Sequence, residues 1–565
     1  MGNERSGKSG IISEASALSA SLPFRLLAGL DGWHLIVILS AAIIITPLTV
    51  IFGSFINPAW DIWKHFADTL LIELISNTLW LILGVGTTTL LLGVGLAWLT
   101  ASYDFPGRAF FSWGLLLPLA IPTYVLAFTA LGIFDFSGPV QSLLRELFGK
   151  NFWFPEIRSP FGVSLVMGLA LYPYVYLLAR SAFLSQGSRA LEVAQSLGYS
   201  RRNGFFKVAL PMARPWIAAG LLLVLMETLA DFGAVSIFNY DTFTTAIYKA
   251  WFGFFSLSGA AQLSSILVTI AFLLVTLESS SRARMRYYQP GKPGQPGQRV
   301  KLSGRYKWGA LFIASSVFFV AFALPVGQLI IWSVEVFSEE FGGRYFDYLG
   351  HSLLLAFLAM ATITTFSLLV AYANRRHADK LTKILVRISN LGYALPGTVL
   401  AVGIFMPIAV LDNILVDIAS SWFGVESSGF IRNSIAIMIL AYLCRFLSAG
   451  YQSVETAMHR ITHSIDEAAL LAGEKGLSLL RKIHFPLLRG GLLTGATLVF
   501  IDVMKEMPIT LMTRPFGWDT LSIKIFELTS EGEWERAALP ALTLVLAGLI
   551  PIALLTRAGE VGKGS

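Results

Sequence analysis

Ionisable residues lie at matching places in two long apolar stretches of the chain. Glu227 and Asp231 occupy one stretch, and Asp502, Lys505 and Glu506 occupy the other. The two acids of each stretch are four residues apart, so in a helix they share one face. Because charged groups are costly inside a membrane, they usually face a polar cavity or one another. Carboxylate oxygens suit hard cations, whereas a single cysteine and no histidine pair at ligand spacing argue against a soft-metal site.

Two interpretations of these charged residues stay open. They could line a translocation pathway, with Gly233 and Pro508 following the acids at matching positions and weakening the helix where a gate could form. They could instead form ion pairs that hold the gate together, for example Lys505 with Glu227 or Asp231. Direct coordination of a metal cargo by the carboxylates is the narrower form of the first interpretation, and no firm metal site is assigned.

The first ten residues contain the pattern of a phosphate-binding loop. Gly2 is followed, after four residues, by Gly7, Lys8 and Ser9. Such a loop works only between a strand and a helix, where backbone N–H groups surround the phosphates. No strand precedes it, and the Ser- and Ala-rich stretch that follows has weak helical character. We therefore interpret the first residues as a basic tail, and expect no ATP site in the chain itself.

The composition indicates a membrane protein. Of 565 residues, 55% are hydrophobic and 14% are charged, with a mean hydropathy of +0.67. Soluble domains carry about a quarter charged residues. The single cysteine, Cys444, excludes an intrachain disulfide and a cysteine-based metal cage. The net charge of +7 does not indicate nucleic acid, because Lys and Arg gather on the cytoplasmic loops of membrane proteins.

Crossing a bilayer takes about 20 apolar residues. Twelve such runs are present, at 33–55, 77–101, 109–134, 161–184, 215–238, 259–278, 308–332, 351–373, 384–411, 432–452, 490–512 and 538–556. The predicted fold class is therefore all-α and polytopic, with about 12 transmembrane helices.

Charge predicts how these spans are oriented. The run 282–307 holds eight basic residues and no acidic ones, so it is predicted to be a cytoplasmic linker. Alternation from that linker places the basic loops 185–214 and 453–489 and both termini inside, and the acidic segments 335–340 and 527–535 outside. The predicted divisions are an N-terminal tail 1–32, a first repeat 33–281, the linker 282–307, a second repeat 308–557 and a C-terminal tail 558–565.

The two halves of the chain are similar at an offset near 275 residues. The loop after the fourth span, 192–211, and the loop after the tenth, 467–486, each have a Glu, a Gly six residues later and a Pro thirteen after the Gly. Six spans return the chain to its starting side, so the halves are parallel repeats about an axis along the membrane normal. The duplicated spacing indicates a docking element projecting from the membrane, and the alternative is a connector lying on its surface.

These loops resemble the EAA loop of binding-protein-dependent ABC importer permeases, whose pattern is E-A-A, three residues, G, nine residues, I-x-L-P. The matching residues are Glu192, Ala194, Gly198 and Pro211 in the first copy and Glu467, Ala468, Ala469, Gly473 and Pro486 in the second. Departures are conservative: Val193 and Val208 in the first copy and Phe485 in the second.

The resemblance implies a type I importer fold and a non-catalytic subunit of the bacterial inner membrane. It implies that the loops dock two copies of a separate ABC ATPase, which uses ATP and Mg²⁺, and that a periplasmic solute-binding protein delivers the cargo. The chain itself is expected to bind no cofactor, and its remaining contacts are with membrane lipid.

The run Asp502–Pro508 and the triplet Asp231–Gly233 resemble the ferric-iron importer permeases with fused halves. Fused thiamine permeases are built alike, so another solute is the alternative. Rival classes are a secondary transporter driven by an ion gradient, in which Glu227 or Asp502 could carry protons, and a channel or scaffold. Neither rival needs a pair of docking loops.

Overall fold

The computed structural model describes residues 31–187, 194–196, 198–283, 299–377, 379–424 and 429–561, with backbone alone at 61–62, 201, 277–283 and 551–561. The phosphate-loop pattern at Gly2–Ser9, Glu192 of the first loop, much of the linker and the last four residues lie outside the described residues.

The described part is almost wholly helical. The first half contains α1 Gly32–Gly53, α2 Trp60–Thr69, α3 Leu71–Ser102, α4 Arg108–Gly114, α5 Thr123–Phe134, α6 Pro139–Phe148, α7 Pro160–Ala182, α8 Arg201–Gly204, α9 Leu210–Ala230, α10 Gly233–Ile237, α11 Phe243–Tyr248 and α12 Leu257–Ala283. The second half contains α13 Gly304–Phe318, α14 Leu324–Glu340, α15 Gly343–Arg376, α16 Lys380–Ser389, α17 Gly397–Phe423, α18 Ile435–Met458, α19 His463–Leu471, α20 Leu477–Leu479, α21 Phe485–Lys505, α22 Pro508–Thr513, α23 Leu521–Ser530 and α24 Trp534–Val561. The two short strands β1 Tyr103–Asp104 and β2 Val300–Lys301 pair in parallel.

Eleven helices within the described residues are long and apolar enough to cross a membrane. The twelfth predicted span falls on α24, whose side chains are described only as far as Ile550. The prediction of an all-α polytopic protein with two repeats is confirmed.

The predicted spans 109–134 and 384–411 are each interrupted rather than continuous. A 3₁₀ turn precedes Pro122 in the first half and Pro396 in the second, and α5 and α17 begin after these prolines. The residue before each proline, Ile121 or Leu395, is extended, because proline disfavours helical backbone in the residue before it. Hydropathy alone did not reveal these breaks, since the residues on both sides are apolar.

The halves share one close helix crossing at their centres. In the first half, α3 meets α7 where a Cβ on Gly93 would lie 2.7 Å from Cβ of Val175. In the second, α15 meets α18 where a Cβ on Gly450 would lie 2.5 Å from Oγ of Ser367. Small residues thus allow the same close approach of two helices in both repeats. The glycine lies on the earlier helix of the pair, α3, in the first half and on the later helix, α18, in the second.

The first helix of each half packs against the other half. On α1, Ile44 and Pro47 fill the space beside Gly392 and Gly403 of the second half. In the second half α13 continues through the π turn Phe319–Ala323 into α14 as one long helix, and on α14 the ring of Trp332 stacks on Phe128 of α5 with centroids 6.5 Å apart. This exchange interlocks the repeats, so the pathway residues of both halves are held against one another.

Candidate functional site

The second predicted docking loop contains a helix that ends at a glycine. Helix α19 is followed by Gly473, which has a φ of +85°. The Glu474 N–H donates to the Ala469 carbonyl at 3.0 Å, and the Gly473 N–H donates to the Leu470 carbonyl at 3.1 Å. This pair of bonds is a Schellman ending, which needs left-handed backbone that glycine adopts most easily.

The first loop makes the same turn in its described part. Gly198 has a φ of +86°, the Tyr199 N–H donates to the Ala194 carbonyl at 3.0 Å, and the Gly198 N–H donates to the Gln195 carbonyl at 2.9 Å. The glycine of the duplicated spacing therefore ends a helix and reverses the chain at the same place in both loops.

Each loop then re-enters the apolar region through a π-helical turn. The turns are Phe205–Ala209 and Leu480–His484, directly before α9 and α21. Proline stands at the second position of each following helix, as Pro211 and Pro486. Because the π turn makes each segment one continuous helix, the proline lies inside it, and the wider turn accommodates the missing N–H and the proline ring.

The surface of the second loop is partly apolar. Ala469, like Ala194 of the first loop, is buried against the protein, whereas Glu467 and Ala468 are exposed. Leu471, at the end of α19, is 91% exposed. Leu470 and Leu477, close to it in the sequence, are also exposed, and a group of exposed leucines is more typical of a surface that a partner covers than a single one is. Leu471 could not be predicted from the sequence, because the loop pattern does not specify that position.

A cluster of polar contacts holds the second loop on the membrane part. Arg375, at the end of α15, donates to Asp466 at 2.8 Å and to the carbonyls of Met458 and Ile461 at 3.0 and 2.9 Å. The other carboxylate oxygen of Asp466 lies 2.7 Å from Nε2 of His484. Burial acts to raise the pKa of Asp466, but the bonds from His484 and Arg375 outweigh it and keep the pKa below its usual value.

We expect Arg375→Ala to loosen this loop. The guanidinium and carboxylate are both largely buried, and losing the bonds of a buried charged group should cost about 2–3 kcal/mol of local stability. Hydrogen exchange of residues 463–476 should accelerate by roughly 30- to 150-fold. Because the Asp466 pKa is lowered, the ion pair is complete at neutral pH and is lost as the pH falls through that value. The exposed Arg481 provides the matched control: Arg481→Ala should leave exchange unchanged, and equal exchange in both variants would contradict this role of Arg375.

The helices that follow the loops are both interrupted at their far ends. Helix α9 ends at Ala230 and α21 ends at Lys505, and Asp231 and Glu506 then adopt extended backbone. Each break is followed by a short helix, α10 or α22, that begins at Gly233 or Pro508. With 21 residues in each long helix, the breaks lie about 31 Å from the loops, close to the thickness of a bilayer core.

Two of the four predicted pathway acids cap these short helices. The carboxylate of Asp231 accepts from the N–H groups of Ala234 and Val235 at 2.8 and 3.3 Å, and from the Thr123 hydroxyl at 2.5 Å. The carboxylate of Glu506 accepts from the Ile509 and Thr510 N–H groups at 3.0 and 3.3 Å. These two acids therefore fix the shape of the break, because a capping oxygen satisfies the free N–H groups of a helix start.

The other two acids lie near one another between the halves. Glu227 and Asp502 are half-buried and within electrostatic range of each other. The Tyr393 hydroxyl of the second half donates to Glu227 of the first at 2.9 Å. Asp502 makes no hydrogen bond or ion pair with the described residues. Glu227 and Asp502 are thus the acids with oxygen atoms available to a passing ligand.

The predicted gate-holding ion pairs are absent from the described part of the chain. Lys505 Nζ donates to the Leu119 carbonyl at 3.0 Å rather than to Glu227 or Asp231. Arg445, which the sequence analysis did not single out, lies beside Glu506: a Cβ on Gly397 would lie 2.6 Å from Glu506 Oε1 and 3.0 Å from Arg445 Nη1.

The two breaks touch across the centre of the molecule. A Cβ on Gly233 would lie 2.7 Å from the Met507 methyl group and 2.7 Å from Cβ of Tyr124. Phe232 and Phe526 also meet across the halves, with ring centroids 5.7 Å apart. The contact lies beyond Glu227 and Asp502 on the side away from the loops.

A family model described as "Binding-protein-dependent transport system inner membrane component" matches residues 90–284 and again 363–559. The two matches cover most of both halves. The chain belongs to this family.

Named relatives agree with the double match. The chain is 30% identical, over 86% of its own length and 90% of the relative's, to an Fe(3+)-transport system permease protein of Haemophilus influenzae. It is 22% identical, over 82% of its length and 68% of the relative's, to a ferric transport system permease protein of Actinobacillus pleuropneumoniae. A molybdenum transport system permease protein of Haemophilus influenzae is 29% identical over 32% of this chain and 77% of its own. The protein is thus a multi-pass ABC transport permease of the inner membrane with two fused halves.

Proposed function

We propose that this permease imports ferric iron delivered by a periplasmic binding protein, and that ATP hydrolysis on two separate ATPase subunits drives the transport. The observation that carries the proposal is the duplicated loop. Gly198 and Gly473 make the same turn 275 residues apart, which gives two equivalent seats for two copies of one partner. The loops, the linker and both termini then face the cytoplasm, where ATP and Mg²⁺ are available.

The choice of cargo has separate support. Three relatives that cover most of the chain are named for Fe(3+) or ferric transport. Glu227 and Asp502 place two carboxylates between the halves without a salt bridge to a described basic residue, and carboxylate oxygens suit a hard cation such as ferric iron. Lys505 and Arg445 lie within electrostatic range of Asp502 and offset part of this negative charge, so the names of the relatives remain the main support for a cation.

Uptake by reconstituted vesicles tests this proposal. The permease is assembled with its ATPase and binding protein, and labelled ferric ion, thiamine and molybdate are offered in turn with ATP inside. We expect accumulation of iron at least ten times above the other two. Accumulation of thiamine or molybdate in place of iron would contradict the cargo but leave the ATP-driven mechanism standing.

A further inference from the structure

A cluster of histidine and aspartate side chains lies where the first helix meets the second half. Ligand atoms of Asp31, His34 and His377 all lie within 4.8 Å of one another. The Asp31 carboxylate is 3.0 Å from Nδ1 of His34 through one oxygen and 3.0 Å from Nε2 of His377 through the other. Asp379 Oδ1 lies 3.7 Å from Nε2 of His34.

The backbone places each of these residues without help from a ligand. Asp31 caps α1, accepting from the Trp33 N–H at 3.0 Å, and the buried His34 lies in the first turn of that helix. His377 follows the last residue of α15, and Asp379 caps α16, accepting from the Thr382 N–H at 3.0 Å. The four side chains therefore converge from three helix ends.

A set of two imidazoles and one carboxylate, close together in space, is typical of sites that bind divalent first-row metals. Such metals hold these ligands at about 2.1 Å, so neighbouring ligand atoms at right angles lie about 3 Å apart. Nδ1 of His34 and Nε2 of His377 each lie 3.0 Å from the Asp31 carboxylate, through different oxygen atoms. One ion shared by the three residues would therefore be held with both carboxylate oxygens facing it.

The charges of the cluster favour a cation. Asp31 and Asp379 contribute two negative charges, and Arg376 contributes one positive charge, with its Nε 3.7 Å from Asp31. The Arg376 side chain is 42% exposed, so it has room to turn away from an incoming ion.

We propose that Asp31, His34 and His377 bind one divalent first-row transition-metal ion. Asp379 faces the other ring nitrogen of His34 and adds negative charge beside the site without being a ligand. The site is separate from the pathway acids, since it lies at the loop-side end of α15, next to Arg375. The proposal of this metal site does not depend on the cargo proposed above.

The bound ion would connect α1, which packs against the second half, to the residues that hold the second docking loop in place. Trp33 packs edge-on against Tyr372 with ring centroids 4.7 Å apart, and the Tyr372 hydroxyl donates to the Gly476 carbonyl in the loop at 2.9 Å. The corresponding junction of the other half is held differently, by the pairing of β1 with β2 and by an Arg108–Asp104 ion pair at 3.3 Å. The metal site thus belongs to one half alone among the described residues.

Cobalt(II) titration of the purified, chelator-treated full-length permease, carrying no histidine tag, tests the site. Co²⁺ bound to imidazole and carboxylate gives visible absorption, so both stoichiometry and Kd can be read. We expect one Co²⁺ per chain, competition by Zn²⁺, and a rise in the thermal unfolding midpoint with metal. His377→Ala and Asp31→Asn should each weaken binding at least tenfold.

Two further variants keep the test decisive. His463→Ala removes an exposed histidine from α19 and should leave the Kd unchanged. His34→Asn keeps a polar side chain of similar reach at the buried position, so it should fold with the wild-type unfolding midpoint without metal yet lose the metal-dependent rise. Equal Co²⁺ affinity in wild type, His377→Ala and His34→Asn, or no binding below millimolar Co²⁺, would overturn the proposal and leave the cluster a hydrogen-bonded helix junction.

Discussion

Valine at both Gly198 and Gly473 is expected to abolish ATP-driven uptake while the permease stays folded in the membrane. Both glycines have a φ near +85°, a conformation that costs a β-branched residue about 1–3 kcal/mol. Apart from the chain neighbours, no atom of the described residues lies within 4 Å of a Cβ at either position, so the effect comes from the backbone rather than from a clash. If both loops must hold this turn to seat the partner, a total near 4 kcal/mol corresponds to roughly a thousandfold loss of docking affinity.

Asparagine at the same two positions is the matched control. Asparagine adopts left-handed backbone more readily than other residues with a side chain, so the Asn pair should retain most uptake and most co-purified ATPase. Full uptake by the valine pair would show that the turn is not needed for docking. Equal loss in both pairs would instead mean that any side chain at these positions blocks the seat.

Glu227→Gln combined with Asp502→Asn is expected to lower uptake at least tenfold without destabilising the protein. These acids are half-buried between the halves, and neutral amides of the same shape remove the charge that a cation would meet while keeping the packing. The thermal unfolding midpoint should stay within about 2 °C of the wild type, since a change under about 0.5 kcal/mol shifts it little. Uptake of labelled ferric ion and thermal unfolding are measured on the same preparations.

Asp231→Ala and Glu506→Ala are the comparison, because these acids cap α10 and α22. Removing a cap should cost about 1–2 kcal/mol, so these variants should lose both stability and uptake. Normal uptake in the Glu227 and Asp502 double variant would mean that the cargo never meets these carboxylates. A lowered unfolding midpoint in that double variant would mean that their role is structural.

Much of the architecture could be predicted from the sequence because it rests on local signals. Runs of about 20 apolar residues indicate spans whatever they pack against. The repeated Glu, Gly and Pro spacing revealed the two halves, and the family match to both halves confirms that prediction. The glycine position was informative because only left-handed backbone requires it, and the structure supplies that reason at Gly198 and Gly473.

The features that the sequence did not reveal depend on residues far apart in the chain. The four acids looked equivalent by spacing, yet Asp231 and Glu506 cap helices whereas Glu227 meets Tyr393 of the other half. No two histidines stand at ligand spacing along the sequence. His34 and His377 nevertheless meet in the structure, with ring centroids 4.2 Å apart, because the first helix packs against the second half. Such meetings become visible only once the packing of the two halves is known.

The transport mechanism depends on one inference, that the duplicated loops transmit the conformational changes of separate ATPase subunits to the membrane-spanning helices. Its most direct test compares vesicles containing the permease and binding protein with and without the ATPase, with ATP inside and with an imposed proton or sodium gradient as the only other energy source. We expect accumulation of labelled iron only when ATPase and ATP are both present. Accumulation by the permease driven by the gradient alone, without the ATPase, would contradict it.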